Sequence, residues 1–302
     1  MKIKANGLLL EVEDSGAGLD AQGRPRPAVL LIMGLGMQLI AWPPELVQGL
    51  VDAGYRVVRF DNRDAGLSQH LDALGTPSVL WASLKYRLNW RIKPPYSLQD
   101  MSADALGVLD ALQIERAHVI GASMGGMVAQ RLALLAPQRV LSLSSLMSSS
   151  GARGLPGPRP EVARAMLKRP AGNSIDAAVD YAVHVLKSVT GPGFPVSDAV
   201  LRERARTAVS RSFYPDGVVR QMLAVMADGA RADALAQVPV PTLVLHGKDD
   251  PLVPFACGED TARRIPGARL AGIDGMGHDL PPGVVALLLP ALLPHLSAAA
   301  AR

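Results

Sequence analysis

The run Gly121-Ala122-Ser123-Met124-Gly125 places a serine between two glycines. An apolar stretch ends just before it, and a helically spaced apolar stretch, Met124–Leu135, begins just after it. A G-x-S-x-G in that position predicts a nucleophile at a tight strand-to-helix turn, since small neighbours allow the strained backbone that exposes the hydroxyl. The helix that follows aims the positive end of its dipole, and the Met124 N–H, at charge developing on a reacting carbonyl.

A serine hydroxyl needs a base. Of the six histidines, His118 and His246 fall inside strand-like runs and are expected as core or strand-end residues. His70, His184 and His295 lie in a loop, a helical region and the last helix. His278 stands in Gly275-Met276-Gly277-His278-Asp279-Leu280-Pro281, just after the last strand-like run, where a loop can carry an imidazole over the serine. The imidazole in turn needs a carboxylate to orient it and to stabilise its charged form. Gly247-Lys248-Asp249-Asp250-Pro251 follows another strand-like run. Adjacent side chains diverge, so one of the two acids is the partner. Asp250, with Pro251 fixing the next backbone segment, is the expected one, and Asp249 is expected to be a solvated loop acid.

Acyl transfer also calls for amide donors to the oxyanion. In Met33-Gly34-Leu35-Gly36-Met37 the glycines let the main chain approach a substrate, which makes the Leu35 and Met124 amides the expected donors. Gly34, Met37, Trp42 and Met147 are the candidates for lining the substrate pocket. No Cys/His spacing suited to zinc occurs, so neither a metal nor a cofactor is expected.

The elements that would hold these residues alternate. Val29–Met33, Val57–Phe60, His118–Ile120, Val140–Met147, Thr242–His246 and, more weakly, Arg269–Ile273 are apolar runs of the kind buried on both faces of a parallel sheet. Helical patterns separate them: Pro44–Ala53 ending at Gly54, a helix opened by the capping arrangement at Ser97–Asp100 and running to Leu112, and Met124–Leu135 stopping before Pro137. Asn6-Gly7 between Ile3–Ala5 and Leu8–Val12 predicts a two-residue hairpin and thus an antiparallel edge. Strand and helix alternating in this way give an α/β fold with right-handed crossovers and helices on both faces. From Ser148 the rhythm breaks into helices alone, Glu161–Lys168, Ile175–Val189, Ser197–Ser210 and Pro215–Ala227. The predicted organisation is therefore a core of residues 1–147 and 236–302 carrying a helical insertion, 148–235. The Ala298–Ala301 tail is expected to fray.

Composition bounds the partners. Of 302 residues, 49% are hydrophobic, enough for a large core, and the formal charge of +4 is mild. The basic excess is concentrated in the insertion (Arg159, Arg164, Arg169, Arg202, Arg204, Arg206, Arg211) and is expected to be a solvated helical surface. A nucleic-acid partner is not expected. Nor is a membrane partner, because the apolar stretches Ala28–Trp42 and Val284–Leu293 are short and broken by Gly or Pro, and the N-terminus lacks a signal-like apolar core. A cytoplasmic location is the expectation. The lone cysteine, Cys257, excludes an internal disulfide and is expected to be a small buried residue. The aromatic and basic Trp81–Tyr96 segment fits none of these assignments.

Taken together these residues resemble the α/β-hydrolase superfamily over nearly the whole chain. Phe60-Asp61-Asn62-Arg63-Asp64-Ala65-Gly66-Leu67-Ser68 is similar to its D-x-R-G-x-G-x-S loop, with Asp64 where glycine is usual. The order Ser, Asp, His along the chain is that fold's order. Met33-Gly34 in place of His-Gly, the Trp42-Pro43 pair and the Gly275–Pro281 loop resemble the aclacinomycin methylesterase branch. That resemblance implies a Ser123–Asp250–His278 triad, a cap formed by the insertion, and hydrolysis of a small-molecule carboxylic ester, methyl esters included. A lactonase, a carbon–carbon bond hydrolase or a cofactor-free perhydrolase would use the same triad, and a low-turnover ligand receptor could retain it. Epoxide hydrolases and haloalkane dehalogenases of this fold carry aspartate where Ser123 stands.

Overall fold

The structure, a computed structural model, describes residues 1–19, 23–168, 170–172 and 174–300. Arg169 and Ala301, both named above, lie outside the described residues. The chain begins with a hairpin, β1 (Lys2–Ala5) and β2 (Leu8–Asp14). Ala5 pairs with Leu8 across Asn6 (φ 48°) and Gly7 (φ 80°), two left-handed residues as a two-residue turn of this hand requires.

There follow β3 (Ala28–Ile32), α1 (Pro44–Asp52), β4 (Arg56–Phe60), α2 (Val79–Arg87), α3 (Leu98–Ala111), β5 (Ala117–Ala122), α4 (Met124–Leu135) and β6 (Val140–Leu146). Then come α5 (Pro160–Leu167), α6 (Ile175–Val189), α7 (Asp198–Arg211), α8 (Pro215–Ala227) and the short α9 (Arg231–Ala234). The chain closes with β7 (Thr242–Gly247), α10 (Phe255–Arg264), β8 (Arg269–Ile273) and α11 (Pro282–Ala300).

The eight strands form one sheet in the order β1-β2-β4-β3-β5-β6-β7-β8. From β4 to β8 every neighbouring pair is parallel, and the hairpin makes the antiparallel edge. Successive side chains of a strand point to opposite faces, and β3 shows the consequence. Leu30 and Ile32 pack with α3 and α4, while Val29 and Leu31 pack with Trp42, α1 and α11. Both faces are covered, which is why the strands read as continuous apolar runs. The reactive loops emerge where strands end and helices begin, at one edge of the sheet.

Local sequence explains the boundaries. Ser97 caps α3 through a reciprocal pair: its Oγ accepts the Asp100 N–H, and the Asp100 carboxylate accepts the Ser97 N–H. Gly54 (φ 90°) follows α1. The helices α5 to α9 all fall between β6 and β7, and α6 and α7 share a small apolar core of Val179, Val183, Leu201 and Ala205.

The structure departs from the sequence expectations at several places. The Val284–Leu293 stretch is part of one 19-residue helix that continues through Pro290 and Pro294, and Ala298–Ala300 do not fray from it. By length and composition alone that helix could cross a membrane. Its Val284, Leu288, Leu292 and Leu296 are instead buried against the sheet. Helix α2 is not legible in the sequence, because its apolar residues lie on two sides and no single periodic stripe stands out. The insertion's arginines are not uniformly solvated. Arg202 and Arg206 form exposed pairs with Asp180 and Asp176, but Arg211 reaches Asp61 at 2.7 Å on the core.

Candidate active site

Ser123 sits at the junction of β5 and α4 with φ 55° and ψ −122°. A non-glycine residue held there costs on the order of 1–3 kcal/mol, which the surroundings must supply. Four hydrogen bonds pin its backbone: its N–H to Leu146 O at 2.9 Å, and its carbonyl accepting from Gly126 N–H at 2.9 Å, Met127 N–H at 3.3 Å and Ser148 Oγ at 2.7 Å. The flanking glycines are required sterically. A Cβ on Gly121 would lie 2.2 Å from Gly125 O, and one on Gly125 would lie 1.9 Å from Ile32 O. A Cβ on Gly126 would lie 2.6 Å from Ser148 Cβ and 3.1 Å from Gly121 O of β5, so this glycine lets α4 pack close to the sheet.

His278 Nε2 is 2.9 Å from Ser123 Oγ, and His278 Nδ1 is 2.6 Å from Asp250 Oδ2. With Nδ1–H donating to the carboxylate, Nε2 is left to accept the serine proton. The three side chains expected from the sequence are thus joined through His278. Burial by itself would raise the Asp250 carboxyl. The His278 charge, contacts from both His246 and His278, and the Val253 N–H overcome it and hold the group down at about 2. Leu252 and Val253 N–H groups donate to Asp250 Oδ1 at 2.9 and 2.8 Å, so this side chain is fixed from both sides.

Asp249 is not the solvated acid expected. Its Oδ2 accepts the Gly275 N–H at 2.8 Å, and its own N–H donates to Met276 O at 3.1 Å, which ties the acid loop to the histidine loop. His246 also stands closer to the chemistry than its strand position suggested: its Nε2 donates to Val253 O at 2.7 Å and lies 3.5 Å from Asp250 Oδ2. Nothing in the local sequence pattern distinguishes it from His118, which bonds Ser142 Oγ deep in the sheet and is lowered to about 4, by burial first and then by the His295 and Arg116 charges. Cys257 is buried as expected, and burial pushes its thiol up to about 11.

The loop after β3 lies against Ser123. A Cβ on Gly34 would be 3.1 Å from Ser123 Cβ and 3.7 Å from its Oγ. Gly34 to Met37 close a turn, with Met37 N–H donating to Gly34 O at 3.2 Å and Gly36 at φ 66°. Asn62 Nδ2 donates to Met33 O at 2.9 Å, and Gln221 Oε1 on α8 accepts the Gly36 N–H at 2.8 Å. Gln221 Nε2 in turn donates to Arg63 O at 2.7 Å. This buried glutamine, 185 residues from the loop it supports, had no signature in the sequence. Met124 is the first residue of α4, where a backbone N–H has no acceptor within the helix.

Of the pocket candidates, Gly34 borders Ser123 and Met37 is exposed. Trp42 is fully buried in the core among Val29, Leu31, Leu46 and Leu50, and Met147 belongs to the same cluster. Trp42 is therefore a packing residue, because a tryptophan after the first buried strand fills the space between sheet and α1 before it can reach the opposite edge.

The helices between β6 and β7 grip this edge at several points. His278 N–H donates to Val189 O at 2.8 Å, and Gly193 N–H donates to Gly275 O at 2.9 Å. Gln38 Nε2 donates to Ala208 O and Ser212 O, and Arg211 bridges Gln38 and Asp61. Asp64, at φ 62°, takes the left-handed conformation that explains why glycine is usual there. Its carboxylate forms a bidentate pair with Arg220 at 2.8 and 2.9 Å, both groups almost fully buried. Beside it, Arg63 makes a two-point pair with Asp104 at 2.6 Å.

The family of the alpha/beta hydrolase fold matches residues 27–281. Rhodomycin D methylesterase DauP of Streptomyces sp. (strain C5) is 31% identical over 297 residues, covering 92% of this chain and 93% of that protein. DnrP of Streptomyces peucetius, also a rhodomycin D methylesterase, is similar to the same extent. A meta-cleavage product hydrolase from Pseudomonas fluorescens IP01 superposes with a TM-score of 0.73 at 21% identity, covering 99% of this chain and 98% of that one. The last of these likenesses concerns the fold.

Proposed function

The chain belongs to the α/β-hydrolase family, and from that premise we propose that it hydrolyses carboxylic esters through an acyl-enzyme on Ser123, with His278 as base and Asp250 as its orienting acid. The unbroken contact from Ser123 Oγ through His278 to Asp250 is the observation that carries the proposal. Methyl esters are the favoured class, because two methylesterases are among the similar proteins.

In the first step His278 Nε2 takes the hydroxyl proton as Ser123 Oγ bonds to the ester carbonyl carbon. The carbonyl oxygen becomes the oxyanion, held by the Leu35 and Met124 amides. His278 then returns its proton to the departing alkoxide, which leaves as the alcohol. Water enters, gives a proton to His278 and attacks the acyl carbon; the acid is released and Ser123 regains its proton. Asp250 stays ionised throughout, consistent with its depressed pKa, and stabilises each imidazolium. Helices α5–α9 act as a cap over the edge where these loops meet.

Purified protein assayed on a short-chain p-nitrophenyl ester and on aromatic methyl esters tests this. Ser123→Ala should lose on the order of a million-fold in kcat, and a fluorophosphonate should label Ser123 by mass. Equal rates for wild type and Ser123→Ala would refute the assignment.

A further inference from the structure

Helix α2 turns its leucines and Trp81 away from the protein. Leu80, Leu84 and Leu88 recur at a spacing of four and, with Trp81, fall within an arc of ~100° on the helical wheel. Leu80 is 82% exposed and Trp81 51%, whereas Ala82, on the far side, is the buried residue of the helix. The chain then folds back: Trp90 N–H donates to Lys85 O, and the Trp90 ring meets Trp81 edge-on at 6.3 Å between centroids. Lys85 Nζ lies 5.5 Å over the Trp81 ring. The result is a contiguous surface of leucine and indole, and such patches mark interaction sites.

The charge within the segment itself has one sign. No Asp or Glu occurs between Asp72 and Asp100, while Lys85, Arg87, Arg91 and Lys93 all fall in that span. Arg87, Arg91 and Lys93 are exposed, and Arg153 reaches in to donate to Asn89. Leucines and indoles in one stripe, on a segment that carries cations and no acid of its own, have the chemistry of a helix lying in the interface of an anionic bilayer. Indole rings favour the headgroup level. Nucleic acid would use the cations and the indoles but would leave three leucines in water. We infer that α2 and the segment through Lys93 dock this protein peripherally on an anionic lipid surface.

This revises the sequence expectation of no membrane partner, which rested on the shortness of the apolar runs; a helix lying on the surface needs no spanning run. The inference is independent of the ester-hydrolase proposal, though the two meet in space. Helix α2 packs on α8, and α8 supplies the glutamine that holds the Gly36 amide. A docked protein would present that side to esters dissolved in the bilayer.

Co-sedimentation of the full chain with phosphatidylcholine vesicles, with and without phosphatidylglycerol, tests the inference. Wild type should pellet with the phosphatidylglycerol vesicles and be released at ~1 M salt, where the screening length is about 3 Å. Tryptophan emission should shift to the blue, since Trp81 and Trp90 are exposed and Trp42 is already buried. Leu80→Ser with Leu84→Ser should abolish pelleting, and Arg87→Ala with Arg91→Ala should weaken partition by roughly five-fold per cation. Hydrolysis of a soluble ester should be unchanged in both variants, which also reports their folding. The arginine variant leaves the leucine stripe intact and keeps the test decisive if the serine variant is unstable. Failure of wild type to bind, or binding that ignores phosphatidylglycerol and both variants, would overturn the inference. So would a concentration-dependent dimer abolished by the leucine substitutions, because a second copy would then occupy the stripe.

Discussion

Replacing Gln221 with leucine should damage catalysis from a position that touches neither substrate nor triad. Gln221 is fully buried and answers two backbone groups, the Gly36 N–H at 2.8 Å and the Arg63 C=O at 2.7 Å. A leucine of similar volume leaves both unsatisfied, at about 1–3 kcal/mol each. The fold can recover part of that by letting the Gly34–Met37 turn move toward water. Movement there shifts the Leu35 N–H, the proposed oxyanion donor. Complete loss of one such donor costs on the order of a hundred-fold or more in kcat, so a displaced one should cost roughly ten- to a hundred-fold. Ground-state binding does not use that donor fully, so KM should stay within about three-fold. Steady-state kinetics on a p-nitrophenyl ester, with thermal unfolding alongside, separates the two effects. If Gln221→Leu lowered the melting temperature but turned over at the wild-type rate, the Gly34–Met37 turn would be rigid on its own, and Gln221 would not be coupled to catalysis.

Other substitutions probe the remaining parts of the site. Asp250→Asn should reduce kcat by on the order of ten-thousand-fold, because a neutral amide neither fixes the Nδ1–H tautomer nor stabilises imidazolium; pre-steady-state assays should show the loss in acylation itself. Asp279, beside the base, is raised to about 6, by burial against the opposing pull of Thr190, Gly191, His278 and Arg204. A carboxyl whose folded pKa lies above its unfolded value of about 3.9 destabilises the fold progressively as pH rises from about 4 to 6, and fully above that. Asp279→Asn should therefore melt higher than wild type at pH 8 and about equal to it at pH 4; a constant difference across that range would contradict the sign. Asp64→Gly restores the residue usual in this loop and relieves a positive φ, yet it orphans the buried Arg220. It should destabilise by roughly 3–5 kcal/mol in chemical denaturation, and Arg220→Met in the same chain should recover most of the loss.

That Ser123, His278 and Asp250 would come together was legible in the sequence because each depends on local pattern. Ser123 needs a strand, two small neighbours and a helix, all contiguous in the chain, and the clash distances at Gly121 and Gly125 show why no other residue type would serve. Asp250 and His278 each follow a buried strand, and parallel strands deliver their ends to one edge of a sheet. The strands themselves read clearly, since burial on both faces demands unbroken apolar runs. Beyond that, tertiary structure decided. Trp42 went to the core and not to the pocket. Asp249 became a tie between two loops, and His246 became a neighbour of the acid. Gln221, Arg211 and Arg220 came from helices far along the chain to hold the Gly34–Met37 turn and the Asp61–Asp64 loop. Those partnerships join residues up to 185 positions apart, and no local periodicity encodes which buried polar group will meet which. Helix α2 failed to register because its apolar residues occupy two sides, Val79, Ala82 and Tyr86 opposite Leu80, Trp81 and Leu84, so no single periodic stripe stands out in the sequence.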